Sequence, residues 1–400
     1  ISMILKLLEY LSLEPNSWFI MFESVSTRMI LAALSAWLIV MLFGPFFIKT
    51  LYQLKIGQVI RKEHVPVLKE LHAKKENTPT MGGGIILLAL LLSGAFWMKL
   101  NHIFTVILFV SVSYFGAIGA LDDYLKIKGR SSSGLKGRLK FLLQSLFAVV
   151  LSCMLLNEQF IQWIESCTSL TMPLAKFHLE EGKSLLLTLS DYSQSLEIPF
   201  LKKTLFFSGW WWQCLFIFAF VFIITGSSNA VNLTDGLDGL ATGCVLLAAA
   251  ALSVVALVSN HVQWAQNLQI FYIEGSGEIA VFLAALIGSC LGFLWYNTSP
   301  AQVFMGDTGS LSLGGILGVC AILLKKELFF GLVSGVFVLE TLSVIFQVSY
   351  FKWTKGKRLF KCAPLHHHFE YKGWPENKIV VRFWIIGLLF TLVALASIRV

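Results

Sequence analysis

A chain of 400 residues that is 56% hydrophobic, only 14% charged and has a mean hydropathy of +0.75 carries more apolar surface than a soluble core needs. This composition excludes a water-soluble enzyme and points to an all-α polytopic membrane protein. The formal net charge of +8 is not a nucleic-acid signature, because the basic residues sit in short connections beside apolar runs, where they orient the chain in the bilayer.

In chain order, residues 1–24 read as an amphipathic segment with Lys6, Glu9 and Glu14, lacking the layout of a secretory signal and expected at the membrane interface. Apolar runs suited to a bilayer core of roughly 30 Å follow at 25–48, 81–98, 103–121, 139–156, 210–227, 239–258, 278–295, 311–324, 328–350 and 379–398. About ten transmembrane helices are therefore expected, the eighth being short. Basic residues crowd the first connection (Lys49 to Lys75), the third (Lys126 to Lys140) and the ninth (Lys352 to Lys378), whereas the even-numbered connections are poor in them, with Lys99 in the second and Lys325 and Lys326 in the eighth. The odd connections are then cytoplasmic and both termini face outward. The longest outer connection, 157–209, contains β-favouring pieces such as 184–189 and reads as a small extracytoplasmic excursion, a hairpin among the options. No hydrophilic stretch is long enough for a second catalytic unit, so one membrane-embedded domain over 1–400 is expected. The seven cysteines are scattered singly, without metal-like or redox-like spacing.

Polar side chains near a bilayer are costly, so clusters of them on one side mark a functional site. Four clusters fall in odd-numbered connections. Asp122 and Asp123 end the third run; neighbours on a helix point about 100° apart, so only one faces a given ligand, while Asp122 and Lys126 at i, i+4 can pair as on any solvated helix end. The stretch from Ser228 to Gly239 holds Asn229, Asn232, Asp235 and Asp238 without a single cation, where an ordinary connection would be basic, although a structural turn with Asx caps is the alternative. From Asn297 to Ser310, Gly306 and Gly309 flank Asp307, which allows backbone amides near a phosphate, with Phe304 three residues earlier as a flat apolar surface or simple packing. A well-presented Asp suits Mg²⁺, which takes one or two carboxylates and completes its shell with water and substrate phosphates. Finally, His366, His367 and His368 are consecutive, offering donors to phosphates or an acid and base rather than a tetrahedral zinc site. Together these residues describe a site for a diphosphate substrate with a divalent ion, and the membrane setting makes one partner a lipid.

The four clusters, with Thr78-Pro79-Thr80-Met81-Gly82-Gly83, Phe293-Leu294-Trp295-Tyr296-Asn297-Thr298, Lys372-Gly373-Trp374-Pro375-Glu376 and Val381-Arg382-Phe383-Trp384, resemble the phospho-N-acetylmuramoyl-pentapeptide transferases of the polyprenyl-phosphate N-acetylhexosamine-1-phosphate transferase superfamily. The likeness runs over nearly the whole chain. It implies a ten-helix bundle, usually a homodimer, in the bacterial cytoplasmic (inner) membrane with a cytoplasmic active-site cleft, taking UDP-N-acetylmuramoyl-pentapeptide and undecaprenyl phosphate. It further implies Asp307 as the Mg²⁺ ligand and Asp122 or Asp123 as the base for the lipid phosphate, with His366 among the catalytic residues. Asn229, Asn232, Asp235, Asp238, Asn297, Phe304, Gly306, Gln347, His367 and His368 would line the nucleotide-sugar cleft, Phe304 stacking on uracil, while Lys74, Thr80 and Lys140 contact phosphates. A superfamily member using another UDP sugar would keep the Asp clusters without needing the histidines. A secondary transporter would place ionisable groups near midplane; only Glu340 lies deep in a run, with Gln347 on the same helical face, lining a lipid groove or pairing with a neighbouring helix.

Overall fold

The computed structural model describes residues 22–54, 78–129, 134–178, 184–201 and 204–398. The expected interfacial segment up to residue 21 and Lys74 lie outside them. In chain order the elements are α1 (Val25–Gln53), α2 (Gly83–Trp97), α3 (Ile103–Lys128), α4 (Gly137–Leu156), α5 (Glu158–Cys167), β1 (Ala175–His178), β2 (Ser184–Leu187), α6 (Leu189–Ser193), β3 (Ser195–Glu197), β4 (Thr204–Phe206), α7 (Trp210–Thr234), α8 (Leu240–Ser259), α9 (Val262–Asn267), β5 (Tyr272–Ile273), α10 (Ser276–Asn297), α11 (Gly306–Leu323), α12 (Glu327–Val333), α13 (Gly335–Trp353), α14 (Leu365–Glu370) and α15 (Glu376–Ser397).

Among the described residues nine helices are long and apolar enough to cross a bilayer, and the 15-residue α2 is a shorter tenth, matching the ten runs of the sequence. The protein is an all-α polytopic membrane protein. α11 is its hub: 89% of its apolar window is buried, against 22% for α1, and it packs on α3, α7, α2 and α8. Small residues make this possible. A Cβ on Gly119 of α3 would stand 2.3 Å from the Asp307 carbonyl oxygen, and one on Gly314 of α11 would stand 2.3 Å from that of Ser227 on α7. Both helix pairs thus meet at backbone distance, the approach that small residues permit inside membranes.

Helix ends depart from the hydropathy runs in a consistent way. α3 continues past residue 121 to Lys128, α7 past 227 to Thr234, and α11 starts at Gly306 rather than 311, so most of the Asp and Asn clusters are helical, not looped. Hydropathy falls before the helices do, because hydrogen bonds between helices satisfy these polar residues. The 328–350 run is two helices, α12 and α13, divided at Ser334, whose hydroxyl turns back onto the Phe330 carbonyl.

At the opposite end from these clusters, the 157–209 connection folds into α5, α6 and four short strands. β1 pairs antiparallel with β2 (Ala175 opposite Leu187) and with β5 (Ala175 opposite Ile273), and β3 pairs with β4. The excursion is therefore more than a hairpin, and it borrows a strand from the α9–α10 connection. The two lysines of the eighth connection are buried rather than topological. Lys325 donates to the Ser193 carbonyl (3.1 Å) and to Glu327 (2.6 Å) and lies over the Phe216 and Phe220 rings, while Lys326 pairs with Glu197. On the same side Arg28 of α1 makes a two-pronged bond to Glu278 of α10 at 3.0 and 2.9 Å, a geometry that lets a buried ion pair persist.

Candidate active site

The last turns of α3 present Asp122 and Asp123, both buried, in different directions. Asp123 turns toward the N-terminus of α11. Its Oδ1 accepts from the Asp307 N–H at 3.2 Å, and its Oδ2 accepts from the Thr308 N–H and hydroxyl at 2.9 and 2.7 Å. A helix start leaves its first N–H groups unpaired and carries partial positive charge, so Asp123 caps α11 from another helix. Asp122 accepts instead from the Leu135 N–H at 2.8 Å and from Lys140 at 3.1 Å, and lies 2.5 Å from the Lys126 ammonium.

Asp307, in the first turn of α11, completes the cluster. Lys126 and Asn232 approach its Oδ1 at 2.9 and 3.0 Å, and Lys140 its Oδ2 at 2.6 Å. Asn232 also donates to Ser310 at 2.8 Å. Ligand oxygens of Asp122, Asp123 and Asp307 lie within 4.8 Å of one another. A hard, oxygen-only donor set gathered this closely is the chemistry a divalent cation takes, and Asp307, with its side chain 13% exposed against 1% and 3% for the other two, is the most accessible of the three. Three carboxylates facing two ammoniums leave the cluster one negative charge.

Thr78 to Gly83 is laced to the start of α11. The Phe304 N–H donates to the Pro79 carbonyl, and the Gly82 and Gly83 N–H groups donate to the carbonyls of Phe304 and Met305, each at 2.8 Å. This strap brings Thr80 and half-buried Phe304 beside Gly306. A Cβ on Gly306 would lie 2.7 Å from the Asp123 Oδ2 and 2.8 Å from the Thr80 hydroxyl, and its φ of +72° also favours glycine.

Asp235 follows α7, three residues beyond Asn232. Burial, then the charges of Asp307, Asp123 and Asp238, push its carboxyl up to about 8. Asp238 accepts from the Ala301 N–H at 3.1 Å, and buried Asn297 accepts from Gly239 and Thr242 and donates to the Val303 carbonyl. Asn229 spends both amide hydrogens inside the bundle, on Gln144 and the Thr225 carbonyl.

The three histidines lie on one turn of α14 and diverge. His366 is buried, its Nδ1 3.2 Å from Glu340 and its ring edge filling the space where Gly236 would carry a Cβ, which sets it beside the Asp235 loop. His367 pairs with Glu370 at 2.6 Å, and His368 accepts from the Lys361 N–H at 3.1 Å. Burial together with Lys372 and Lys361 holds His368 below the usual imidazole range, which suits that acceptor role. Glu340 accepts from the His366 N–H, and Gln347, seven residues along the same face of α13, accepts from the N–H groups of Leu359 and Phe360 at 3.1 and 2.8 Å. That face grips the segment carrying the histidines.

The i, i+4 spacing allows a surface pair of Lys126 with Asp122; in the structure Lys126 bridges Asp122 and Asp307. Sequence reasoning gave no role to Thr308, Glu370 or Gln144. The i, i+4 spacing was the signal for Lys126; nothing in the linear sequence marks the others.

Residues 105–325 match the family profile described as glycosyl transferase family 4. The chain is 51% identical over 390 residues to a phospho-N-acetylmuramoyl-pentapeptide-transferase of Protochlamydia amoebophila, an alignment covering 94% of this chain and 95% of the relative. It is also similar to proteins of that description from Desulfotalea psychrophila (43% over 381 residues, 95% of each chain) and Thermodesulfovibrio yellowstonii (44% over 379 residues, 94% of each). The match spans helices on every side of the carboxylate cluster, and by it the chain belongs to glycosyl transferase family 4 and, within that family, to the phospho-N-acetylmuramoyl-pentapeptide transferases.

Proposed function

We propose that the protein transfers phospho-N-acetylmuramoyl-pentapeptide from its UDP conjugate to undecaprenyl phosphate. An oxygen of the lipid phosphate forms a bond to the phosphorus that carries the sugar, the bond from that phosphorus to the UMP oxygen breaks, and a lipid-linked diphospho-sugar and UMP result. The observation that carries this reading is the convergence of Asp122, Asp123 and Asp307 within 4.8 Å, interleaved with Lys126 and Lys140. Family membership supports the choice of substrates.

In this reading Asp307 with a neighbouring carboxylate would hold Mg²⁺, which would supply charge neutralisation at the diphosphate. Lys140 and Lys126 orient phosphate oxygens, with Thr80 close by at Gly306. Asp122, less tied to backbone than Asp123, is the better placed to receive the lipid phosphate's proton, and Asp123 fixes Asp307 by capping its helix. Phe304 offers a face for uracil, and the loop from Asp235 to Asp238 and the histidine turn bound the sugar-peptide side. The basic connections at this end support a cytoplasmic position for it, and with it action at the inner face of the bacterial cytoplasmic membrane. The resemblance further implies a homodimer, which light scattering of the detergent complex tests.

The deciding assay is UMP release by the purified protein in detergent from UDP-N-acetylmuramoyl-pentapeptide and undecaprenyl phosphate, with Mg²⁺ and with chelator. Turnover of UDP-N-acetylglucosamine at a comparable rate would overturn the substrate choice. Orientation is checked by cysteine labelling in sealed cells: Gly356→Cys is expected to need a permeant reagent, and Ser184→Cys to react with an impermeant one.

A further inference from the structure

One helical turn into the bundle from the carboxylate cluster lies a second polar tier on three of its four helices, α4, α7 and α11. Gln144 on α4 follows Lys140 by four residues, Ser228 and Asn229 on α7 precede Asn232 by four and three, and Leu311 on α11 follows Asp307 by four. Residues so spaced share a helix face. Gln144 is fully buried, and its amide is used at both ends: Nε2 donates to the Ser228 hydroxyl at 3.0 Å, and Oε1 accepts from the Asn229 amide at 2.7 Å. The Ser228 hydroxyl in turn donates to the Leu311 carbonyl at 2.8 Å. One side chain thereby joins α4 to α7 and, through Ser228, to α11.

The two tiers differ in what else fixes them. α7 and α11 are locked together at Gly314, where a side chain would collide with the Ser227 carbonyl. Among the described residues α4 shows no such backbone collision: its other ties are the Tyr114 hydroxyl of α3 on the Leu143 carbonyl at 2.9 Å and the Tyr114 and Phe115 rings on Phe147, and most of its length faces outward, with Leu139, Phe141, Leu142, Leu146 and Val150 exposed. Yet α4 supplies Lys140, which must meet Asp122 at 3.1 Å and Asp307 at 2.6 Å. A shift of about 1 Å in such a group is enough to cost a large factor in rate.

We propose that Gln144 is a positioning residue for the transfer reaction: its two-ended amide sets the register of α4 against α7 and α11 and so holds the Lys140 ammonium on the Asp122–Asp307 pair. The inference rests on the reading of the site given above, in which Lys140 acts on substrate phosphate. Gln144 is fully buried and bonds within the bundle, so an effect that depends on Lys140, one turn away on α4, is separable from general packing and from an effect exerted through Asn232 of α7.

The test is a double-mutant cycle on UMP release by the full chain, using Gln144→Leu, Lys140→Met and the pair, with thermal midpoints in parallel. Gln144→Leu is expected to lower kcat about tenfold while KM for the nucleotide substrate stays within about twofold, the profile of an interaction realised at the transition state. In the Lys140→Met background the same change is expected to cost less than about twofold, because the group it positions is gone. Ser228→Ala, which cuts the link to Leu311 and leaves the Asn229 arm, is expected to lower kcat about threefold and to lose that effect in the Lys140→Met background; it carries the test if Gln144→Leu fails to fold. An undiminished penalty in the Lys140→Met background, or unchanged kcat in both Gln144→Leu and Ser228→Ala, would overturn the proposal. Wild-type protein that releases no UMP would instead sink the transferase reading and leave the packing observation standing.

Discussion

Replacing Asp123 by Asn separates its two possible duties, capping α11 and accepting a proton. Asn is nearly isosteric but has one acceptor oxygen. Placed where Oδ2 now sits, that oxygen keeps both Thr308 bonds, and the new NH₂ then faces the Asp307 N–H across a 3.2 Å contact. A buried donor left unpaired costs about 1–3 kcal/mol, and removing a negative charge from a helix N-terminus costs about 0.3–1 kcal/mol more. The expected destabilisation is roughly 1–4 kcal/mol, centred on the turn that carries Asp307, with a fall in activity because that turn moves. If capping is the duty, this loss is the same at every pH. If Asp123 were the base, the loss would shrink as pH rises, since a phosphate monoester with a second pKa of about 6 sheds its proton unaided in alkaline buffer. The assay pairs thermal denaturation with a pH profile of kcat/KM for Asp123→Asn and Asp122→Asn. An unchanged thermal midpoint, or an Asp123→Asn penalty that fades with rising pH, would refute the capping argument.

Asp307→Asn takes the Asp122, Asp123 and Asp307 set from three negative charges to two against two ammoniums. Two unit charges about 4 Å apart at an effective dielectric near 20 interact by about 4 kcal/mol and a divalent ion doubles that, so Mg²⁺ affinity, read by calorimetric titration, is expected to drop at least about a thousandfold; wild-type affinity would show that the ion binds elsewhere. Asp235, raised from 3.8 to about 8 in the folded protein, binds a proton that the unfolded chain has already released between those values, so its contribution to stability is complete below about 4 and lost as pH rises to about 8. Asp235→Asn is therefore expected to flatten the decline of the chelator-treated protein's melting temperature over that window, and identical slopes for the two proteins would contradict the assignment. Gly119→Ala puts a methyl 2.3 Å from the Asp307 carbonyl oxygen, which is expected to cost about 1–3 kcal/mol by overpacking and to lower activity; a fully active variant with wild-type melting behaviour would mean that α3 and α11 are free to part.

The number of spans, their order, the small excursion and the identity of the acidic clusters were legible in the sequence, because a bilayer forces each span to be a helix with its own backbone satisfied and makes every uncompensated polar residue conspicuous. Family resemblance read from the motifs was likewise sufficient to name the chemistry. What the linear chain left undecided was which polar groups meet. Asp122 and Asp123 are neighbours in sequence, yet one joins Lys126, Lys140 and Leu135 while the other caps a helix that begins more than 180 residues later. Lys325 and Lys326 look like topogenic charges but are buried against Glu327, Ser193 and Glu197, and three consecutive histidines take three different partners. Asn297 and Asp238, which the sequence offers as cleft lining, hydrogen-bond to the backbone at Gly239, Val303 and Ala301. Hydropathy reports whether a side chain must leave the lipid; which partner satisfies it depends on how closely helices approach, and that is set by contacts such as Gly119 on Asp307 and Gly314 on Ser227, which exist only once the bundle has packed.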